Sequence, residues 1–285
     1  MTAAVYTLLA VGALVALAGC AARAWWYARF PAHLRWELYP VPQGVVARAW
    51  FTAREILLLH ALHESNRRLW YRSFPFHAGL YLMVAGGCAL FATAVATVAV
   101  GVPAHPAWPA LQGVCSALGW TGVALAVGGA VALLLHRLTD AGTRPATTPA
   151  DLFNLVFFVC ALGLLAAGTW LRPAGSPDLL AAVAGALTWD TSLPIPGLLG
   201  AGIVACAALV AYVPMTHMAH FIGKYFAYHA VRWDDHLLAD HSKLAAAVAT
   251  QLAYRPTWSA SHLGADGQRT WADVASSNPT RPPTP

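Results

Sequence analysis

Charged side chains are scarce in this chain of 285 residues. Only 10% of its residues are Asp, Glu, Lys or Arg, whereas 58% are hydrophobic, and the mean hydropathy is +0.55. Soluble domains carry about 25% charged residues, so the composition excludes an ordinary soluble globule. The high apolar content also excludes a disordered chain. The sequence therefore indicates an integral membrane protein.

Cysteine is sparse as well, with five positions in the whole chain. They are Cys20, Cys88, Cys115, Cys160 and Cys206, each within an apolar stretch. Because no C-x-x-C pair occurs, the sequence lacks a zinc or iron–sulfur framework of its own. The thiols are best interpreted as small buried hydrophobic side chains.

Long runs without Lys, Arg, Asp or Glu predict the membrane spans. A bilayer core of about 30 Å requires roughly 20 apolar residues in a helix. The predicted spans cover residues 4–25, 76–98, 114–136, 152–170 and 198–221. A stretch with three prolines at 101–109 separates the second span from the third. We expect an all-α integral membrane protein with a five-transmembrane-helix bundle.

The positive charges predict how the bundle is oriented. Of 17 Lys and Arg, eight lie between Arg23 and Arg72, two at positions 137 and 144, and six from Lys224 onward. Only Arg172 falls in a connection on the other side. The positive-inside rule then puts the N-terminus outside and the C-terminus in the cytoplasm, as in a multi-pass protein of the cell inner membrane. The net charge of +5 is explained by this topology and requires no nucleic-acid partner.

Two segments outside the predicted spans differ from them in composition and in predicted structure. Residues 45–70 show helical apolar spacing with interspersed arginines, which predicts a cytoplasmic surface helix between helices one and two. We expect a membrane domain over residues 1–235 and a cytoplasmic tail over 236–285. The tail is rich in Pro, Ser, Thr and Gly, so we expect an extended arm that docks a partner.

Four histidines fall at the cytoplasmic ends of the predicted spans, and hence at one depth: His77, His136, His217 and His220. Ionisable groups within spans are functional candidates because burying them is costly. Two imidazoles that face each other across a helical bundle suit a six-coordinate haem b. A single His near a helix end is more often an ordinary interfacial residue, so position alone leaves the haem open.

The segment from Leu135 to Leu152, followed by Cys160-Ala-Leu-Gly-Leu164, resembles a connection in a known family. It is similar to the link between the third and fourth helices in the gamma subunit of respiratory nitrate reductase. That family has R-L-T-N, R-A-T-T-T-x-A-D-L and Q-C-A-L-G-L in the same order. The resemblance covers about residues 74–225. It implies a membrane cytochrome b that exchanges electrons between a quinone and a cytoplasmic iron–sulfur subunit.

The resemblance also implies the haem ligands. Phe76-His-Ala-Gly-Leu80 is similar to the family's F-H-x-G-[LI], whose His binds the cytoplasm-side haem, which implies His77 as one ligand. Pro214-Met-Thr-His-Met-Ala-His220 is similar to P-F-S-R-L-x-H and implies His220 as the opposing ligand. In that alignment His217 stands where the family has Arg.

The family's second haem lies toward the outer face, and its ligands would fall at Gly87 and Gly202 in this sequence. We therefore expect one haem b. With no relay across the bilayer, the quinone should bind in the inner or middle bilayer, exchange protons mainly with the cytoplasm and generate little charge separation. The motif from Lys224 to Asp235 is similar to a motif in membrane subunits of the heterodisulfide-reductase-like group. This similarity implies that the partner acts on a substrate other than nitrate.

The remaining site predictions concern charge and protons. Arg72, Arg137 and Lys224 fall at the level where haem propionates would need cationic partners, although positive-inside topology also accounts for them. His217 or His136 could line the pocket of a quinone, menaquinone or ubiquinone, since His titrates near neutral pH. The glycine pairs at 86–87 and 128–129 are best explained by close helix packing.

Three alternatives remain open. A second haem could recruit another His pair, such as His136 with His217, or use His60 or His63 from the surface helix. The spacing of His60-Ala-Leu-His63 and of His217-Met-Ala-His220 could belong to a membrane di-iron enzyme, although such sites need more His and nearby carboxylates. A redox-inactive anchor or a transporter is the third alternative, but the chain has no internal repeat of the kind that transporters show.

Overall fold

The computed structural model describes residues 1–29, 42–101, 107–233, 243–258 and 266–277. Every regular element among these residues is a helix. The helices in chain order are α1 (Thr2–Arg29), α2 (Gly44–Leu58), α3 (His60–Ser65), α4 (Arg67–Val100), α5 (Ala107–Thr139), α6 (Pro149–Trp170), α7 (Leu179–Thr188), α8 (Gly197–Tyr212), α9 (His220–Phe226), α10 (Lys243–Leu252) and α11 (Trp271–Ser276). Short 3-10 turns and one π turn occur at Arg144–Ala146, Val213–Met215, His217–Ala219 and Ala227–Arg232.

Within the described ranges, five helices are long and apolar enough to cross a membrane. They are α1, α4, α5, α6 and α8, the last extended by its 3-10 turn to Met215. The prediction of an all-α protein with five long apolar helices is thus confirmed for the described residues, as expected of a helical membrane bundle. Helix α4 ends at Val100 and α5 begins at Ala107, on either side of the predicted break. Residues 102–106 lie outside the described part of the chain.

Small residues bring α4 and α5 into backbone contact. A Cβ added at Gly79 would collide with the backbone of Ala126, and one added at Gly129 would collide with the backbone of Phe76. Ala126 itself is fully buried. Lipid tails are as apolar as leucine, so helices in a bilayer associate largely through such close packing. The prediction that the glycine pair at 128–129 serves helix packing is confirmed for Gly129.

The contact between α6 and α8 follows the same rule. A Cβ at Gly202 would lie 2.5 Å from Cα of Leu165, and one at Gly168 would lie 2.6 Å from Cα of Leu199. Leu199 is fully buried. Helix α1 joins this pair, because Gly12 lies against the backbone of Ala207.

The predicted surface helix over 45–70 is divided into α2, α3 and the start of α4. Leu59 adopts a left-handed conformation with φ 50°, which ends α2. The carbonyl groups at this end accept hydrogen bonds from α4: Trp70 Nε1 donates to Leu58 at 2.8 Å, and the Tyr81 hydroxyl donates to Ile56 at 2.6 Å. These side chains donate hydrogen bonds to carbonyl groups that the break in the helix would otherwise leave without a partner.

The fifth span is shorter in the structure than the predicted range of residues 198–221. Helix α8 ends at Tyr212, and two 3-10 turns precede α9. Pro214 accounts for the interruption because it lacks a backbone N–H and its ring clashes with the preceding helical turn. Thr216 then caps the second turn, its Oγ1 accepting from the backbone N–H of Met218 at 3.2 Å. His220 is consequently the first residue of α9.

Helix α7 is an element that the sequence analysis did not predict. Its ten residues are too few to span a bilayer. Asp178 caps its N-terminus by accepting from the backbone N–H of Ala181 at 2.8 Å. The Tyr6 ring of α1 is buried and lies against Gly185 in the middle of α7.

The contacts divide the chain into two compact units: Met1–Trp25 with Pro42–Gly223, and Trp26–Val41 with Lys224–Pro285. The predicted domain boundary at 235 lies outside the described residues. In the second unit, residues 243–252 and 271–276 are helical instead of extended, and α11 begins with a capping box between Thr270 and Asp273. Trp258 contacts Trp271 with ring centroids 6.0 Å apart.

Replacement of Gly129 tests the contact between α4 and α5. We expect Gly129→Leu to lower the free energy of unfolding by about 1–3 kcal/mol, because overpacking forces the two backbones apart. The adjacent Gly128→Leu is a matched control, since a Cβ there meets no atom within 4 Å. Thermal unfolding of both variants in detergent is the measurement. Equal stability of the two variants would contradict the packing described.

Candidate functional site

His77 lies on α4 and is half-buried. Its Nδ1 is 2.8 Å from the backbone carbonyl oxygen of Ser73 and 3.3 Å from the Ser73 hydroxyl. Since a carbonyl oxygen can only accept, Nδ1 carries the proton in the 2.8 Å contact and Nε2 presents the lone pair. Neutral imidazole with Nδ1–H held by a backbone carbonyl is a common arrangement of metal-binding histidines.

His220 opens α9 and follows the same pattern. Its Nδ1 is 3.3 Å from the carbonyl oxygen of His217, which again assigns the lone pair to Nε2. The carbonyl belongs to the 3-10 turn that Pro214 and Thr216 create, so the interruption of the fifth span determines where this imidazole stands. His220 is exposed in the described structure.

The rings of His77, on α4, and His220, on α9, form what we call the facing pair: their centroids are 6.2 Å apart and their planes are inclined by 67°, an edge-to-face arrangement. Two metal–imidazole bonds of about 2 Å each, together with the two ring radii, put the centroids of a pair of axial ligands roughly 6 Å apart. The centroid separation therefore matches that of a group with one neutral imidazole nitrogen on each side, as in a six-coordinate haem. The structure thus brings together the two residues that the sequence resemblance implied.

Asp151 is a site residue that the sequence analysis missed. It is largely buried, and its carboxylate lies 3.5 Å from Arg137 Nη1 and 3.7 Å from His217 Nε2. It also forms a capping box with Thr148 at the start of α6. The spacing Thr148-Pro-Ala-Asp151 is a recognisable N-cap signal, but the signal predicts only the cap. The cationic contacts depend on the approach of α5 and of the turn before α9.

His136 is buried at the end of α5, and its neighbours belong to the connection that follows. Nε2 is 3.3 Å from the Thr143 hydroxyl, and Nδ1 is 4.0 Å from Asp140. Hydrogen bonds from the side chain and backbone of Thr143 lower the pKa of Asp140, and the nearby His136 and Arg68 add to this effect. His136 and His217 thus contact different carboxylates, and the recruited pair proposed as an alternative gains no support.

The three predicted cationic residues have different surroundings. Arg137 forms the ion pair with Asp151 already described. Arg72 precedes His77 by five residues on α4 and donates to the backbone carbonyl of Arg68. Lys224 is half-buried and follows His220 by four residues on α9. Arg72 and Lys224 are therefore each within two helical turns of a histidine of the facing pair.

The surface-helix histidines have local partners. His60 Nε2 lies 2.8 Å from Glu64, and the His63 ring packs on Trp70 at 4.9 Å. Across the described residues, no three His, Cys, Asp or Glu side chains are grouped as a metal ion would require. The di-iron alternative thus finds no support in the described geometry.

Gly87 and Gly202, where the resemblance implies that outer haem ligands are missing, have different surroundings. Gly202 is in close contact with Leu165, so no larger residue fits there without moving α6 from α8. A Cβ at Gly87, in contrast, would meet no atom within 4 Å. The α8 position is filled by helix packing, whereas the α4 position faces open space.

Replacement of Pro214 tests the role of the interrupted span. We expect Pro214→Ala to let α8 continue as a helix and so turn His220 away from His77. In a background with the five native cysteines replaced by Ala, His77→Cys and His220→Cys should be joined by a short thiol-reactive cross-linker, a bis-methanethiosulfonate. Adding Pro214→Ala should lower the yield several-fold. Cross-linking that is equally efficient with Ala at 214 would refute this role.

Comparison of the chain with protein-family models, with curated proteins and with solved structures finds no match in any of the three.

Proposed function

We propose that this protein is a membrane cytochrome b subunit that carries electrons between a quinone of the lipid phase, menaquinone or ubiquinone, and a cytoplasmic iron–sulfur oxidoreductase. The observation that carries the proposal is the facing pair of His77 and His220, on two different helices of a membrane bundle. Bound between them, haem b would supply one-electron transfer at nearly fixed geometry.

The environment of the pair suits that role. Both imidazoles are oriented through Nδ1 by a backbone carbonyl, which makes Nε2 the better donor to a metal. Phe76 lies beside His77 with ring centroids 5.3 Å apart and contacts Phe158 at 5.0 Å. An apolar surround of this kind limits the access of water to His77 and would contribute to the reduction potential of a bound haem.

A cationic residue near His77 supports propionate binding. Arg72 precedes His77 by five residues on α4, and its guanidinium can form charge-assisted hydrogen bonds with a carboxylate. Lys224 belongs to the second compact unit, so it carries no part of this argument. Arg137 is engaged by Asp151, so we assign it to holding α5 against α6 and not to the haem.

The partner is inferred from charge and from sequence resemblance. The connections that carry most of the Lys and Arg belong to the end of the bundle with the histidines, which the positive-inside rule assigns to the cytoplasm. A soluble iron–sulfur protein that docks at this end would receive or deliver electrons over a short distance. The resemblance to nitrate reductase gamma subunits and to heterodisulfide-reductase-like subunits supports this kind of partner.

The decisive experiment is the pyridine haemochromogen spectrum of the purified full-length chain. We expect about one haem b per polypeptide in the wild type and loss of most of it in His77→Ala and His220→Ala, because each variant removes one axial ligand. His63→Ala is the control, since its ring packs on Trp70 of α4.

Three outcomes would contradict parts of the proposal. Absence of haem from the wild type would remove the proposed function. A ratio near two, with one haem lost in His136→Ala or His217→Ala, would establish the recruited second pair. Retention of haem in both His77→Ala and His220→Ala would show that other residues bind it.

A further inference from the structure

A large cavity lies in the first unit, displaced along the bundle from the facing histidines. Its volume is about 1060 Å³, just above the range of roughly 300–1,000 Å³ typical of sites for small organic ligands. Its walls belong to α1, α4, α5, α6, α7 and α8. On α4 the lining begins at Met83, beyond His77, and on α5 it ends at Val123, before His136. No histidine is among the described residues that line it.

Glycines of α4 and α5 open this space. Gly87 and Gly119 both line the cavity, and a Cβ at either would meet no atom within 4 Å. The opposite wall is closed, because Gly202 brings α8 into contact with Leu165 of α6. The open volume therefore adjoins the α4 position at which the similar family has its outer haem ligand.

We infer that this cavity binds the quinone ring, in the space beside Gly87. The cavity borders Arg172, in the connection that the charge pattern assigns to the outer side, so the quinone binds toward that side and not in the inner or middle bilayer expected from the sequence. The inference rests on the proposed function, since it names the site of the same electron donor or acceptor. The walls are mainly apolar and include Trp120 and Trp170, whose rings meet at 5.9 Å. Flat aromatic surfaces of this kind suit a planar ring and its isoprenoid tail.

The polar lining favours a neutral ring over a charged head group. Arg172 and Asp178 both border the cavity, so its lining includes one charged residue of each sign. Each is already held: Arg172 Nη1 donates to the carbonyl of Ser176 at 2.7 Å, and Asp178 caps α7. Gln112 and Ser116 add hydrogen-bond donors to the α5 wall, which suits the carbonyl oxygens of a quinone.

The spacing of residues along α4 gives the axial separation of the cavity from His77. Met83 follows His77 by six residues on α4 and Gly87 follows it by ten, which correspond to rises of about 9 Å and about 15 Å. A quinol in the cavity gives up two electrons and two protons to become quinone. Haem b held by His77 and His220 would accept the two electrons one at a time, for delivery to the iron–sulfur partner, and the two protons would pass to water. The reverse reaction would consume the same number of each.

Photolabelling of the full-length chain in nanodiscs tests the inference. The probe is a short-tailed azido-ubiquinone, with excess decylubiquinone as competitor and labelled peptides identified by mass spectrometry. We expect competed label in peptides that contain residues 83–91 or 112–123. Gly119→Leu and Gly87→Leu should each reduce it about tenfold by filling the cavity, since neither Cβ meets a neighbouring atom.

Gly163→Leu is the matched control. It lies on α6, its Cβ also meets no atom within 4 Å, and it does not line the cavity. Label that persists in both cavity-filled variants, or that maps to peptides near His77 and His220, would overturn the inference. If added phospholipid displaces the label and decylubiquinone does not, the cavity is a lipid site instead.

The same labelling on His77→Ala separates this inference from the proposed function. We expect competed label in the cavity of that variant even where haem is lost, because no cavity wall includes His77. A wild type that lacks haem but binds the probe in the cavity would remove the proposed function alone. A wild type that contains haem but shows no competed label in the cavity would remove the quinone site alone.

Discussion

Close approach of helix backbones at glycine and alanine is the constraint on which the rest of this structure depends. In a bilayer, apolar side chains gain little by leaving lipid for protein, so helices must gain through contact and through satisfied polar groups. Gly79 and Gly129 bring α4 against α5, and Gly202 brings α8 against α6. Phe76 touches Gly129 and precedes His77, so the first imidazole stands where this packing sets it.

The second imidazole depends on an interruption of helical order. Pro214 ends the regular hydrogen bonding of the fifth span, and the 3-10 turns that follow provide the carbonyl that orients His220. Asp151 adds an electrostatic link between this turn, α5 and the cap of α6. A polar cluster at one end of an apolar bundle thus aligns elements that packing alone would leave free to slide.

Hydropathy predicted the five spans because the bilayer requires long apolar helices whatever their partners. It did not predict the end of α8 at Tyr212, since Pro214 lies within an otherwise apolar run. The surface segment was expected as one helix because its apolar spacing is continuous, whereas Leu59 adopts a left-handed conformation where Trp70 and Tyr81 supply hydrogen bonds. Such partners come from tertiary structure and leave no local signal.

The candidate site could be predicted from the sequence only in part. Depth and resemblance selected His77 and His220, and their apposition agrees with that selection. Asp151 was missed because its sequence signal describes only an N-cap. The cavity was missed because it arises where glycines of α4 and α5 face no neighbour, and because α7, a helix too short for a hydropathy window, closes one side. Residue type alone does not distinguish a glycine that packs from one that opens space.

The positions of the facing histidines along the chain bear on how the protein is assembled. His77 belongs to the second span and His220 follows the fifth, so the two rings meet only after every span has been inserted. A ligand that needs both nitrogens cannot be held by a partly inserted chain. Capture of such a ligand would tie the first and last parts of the bundle together. A ligand of that kind could therefore be held only after membrane insertion is complete, and a chain truncated before α9 would lack one of the two nitrogens.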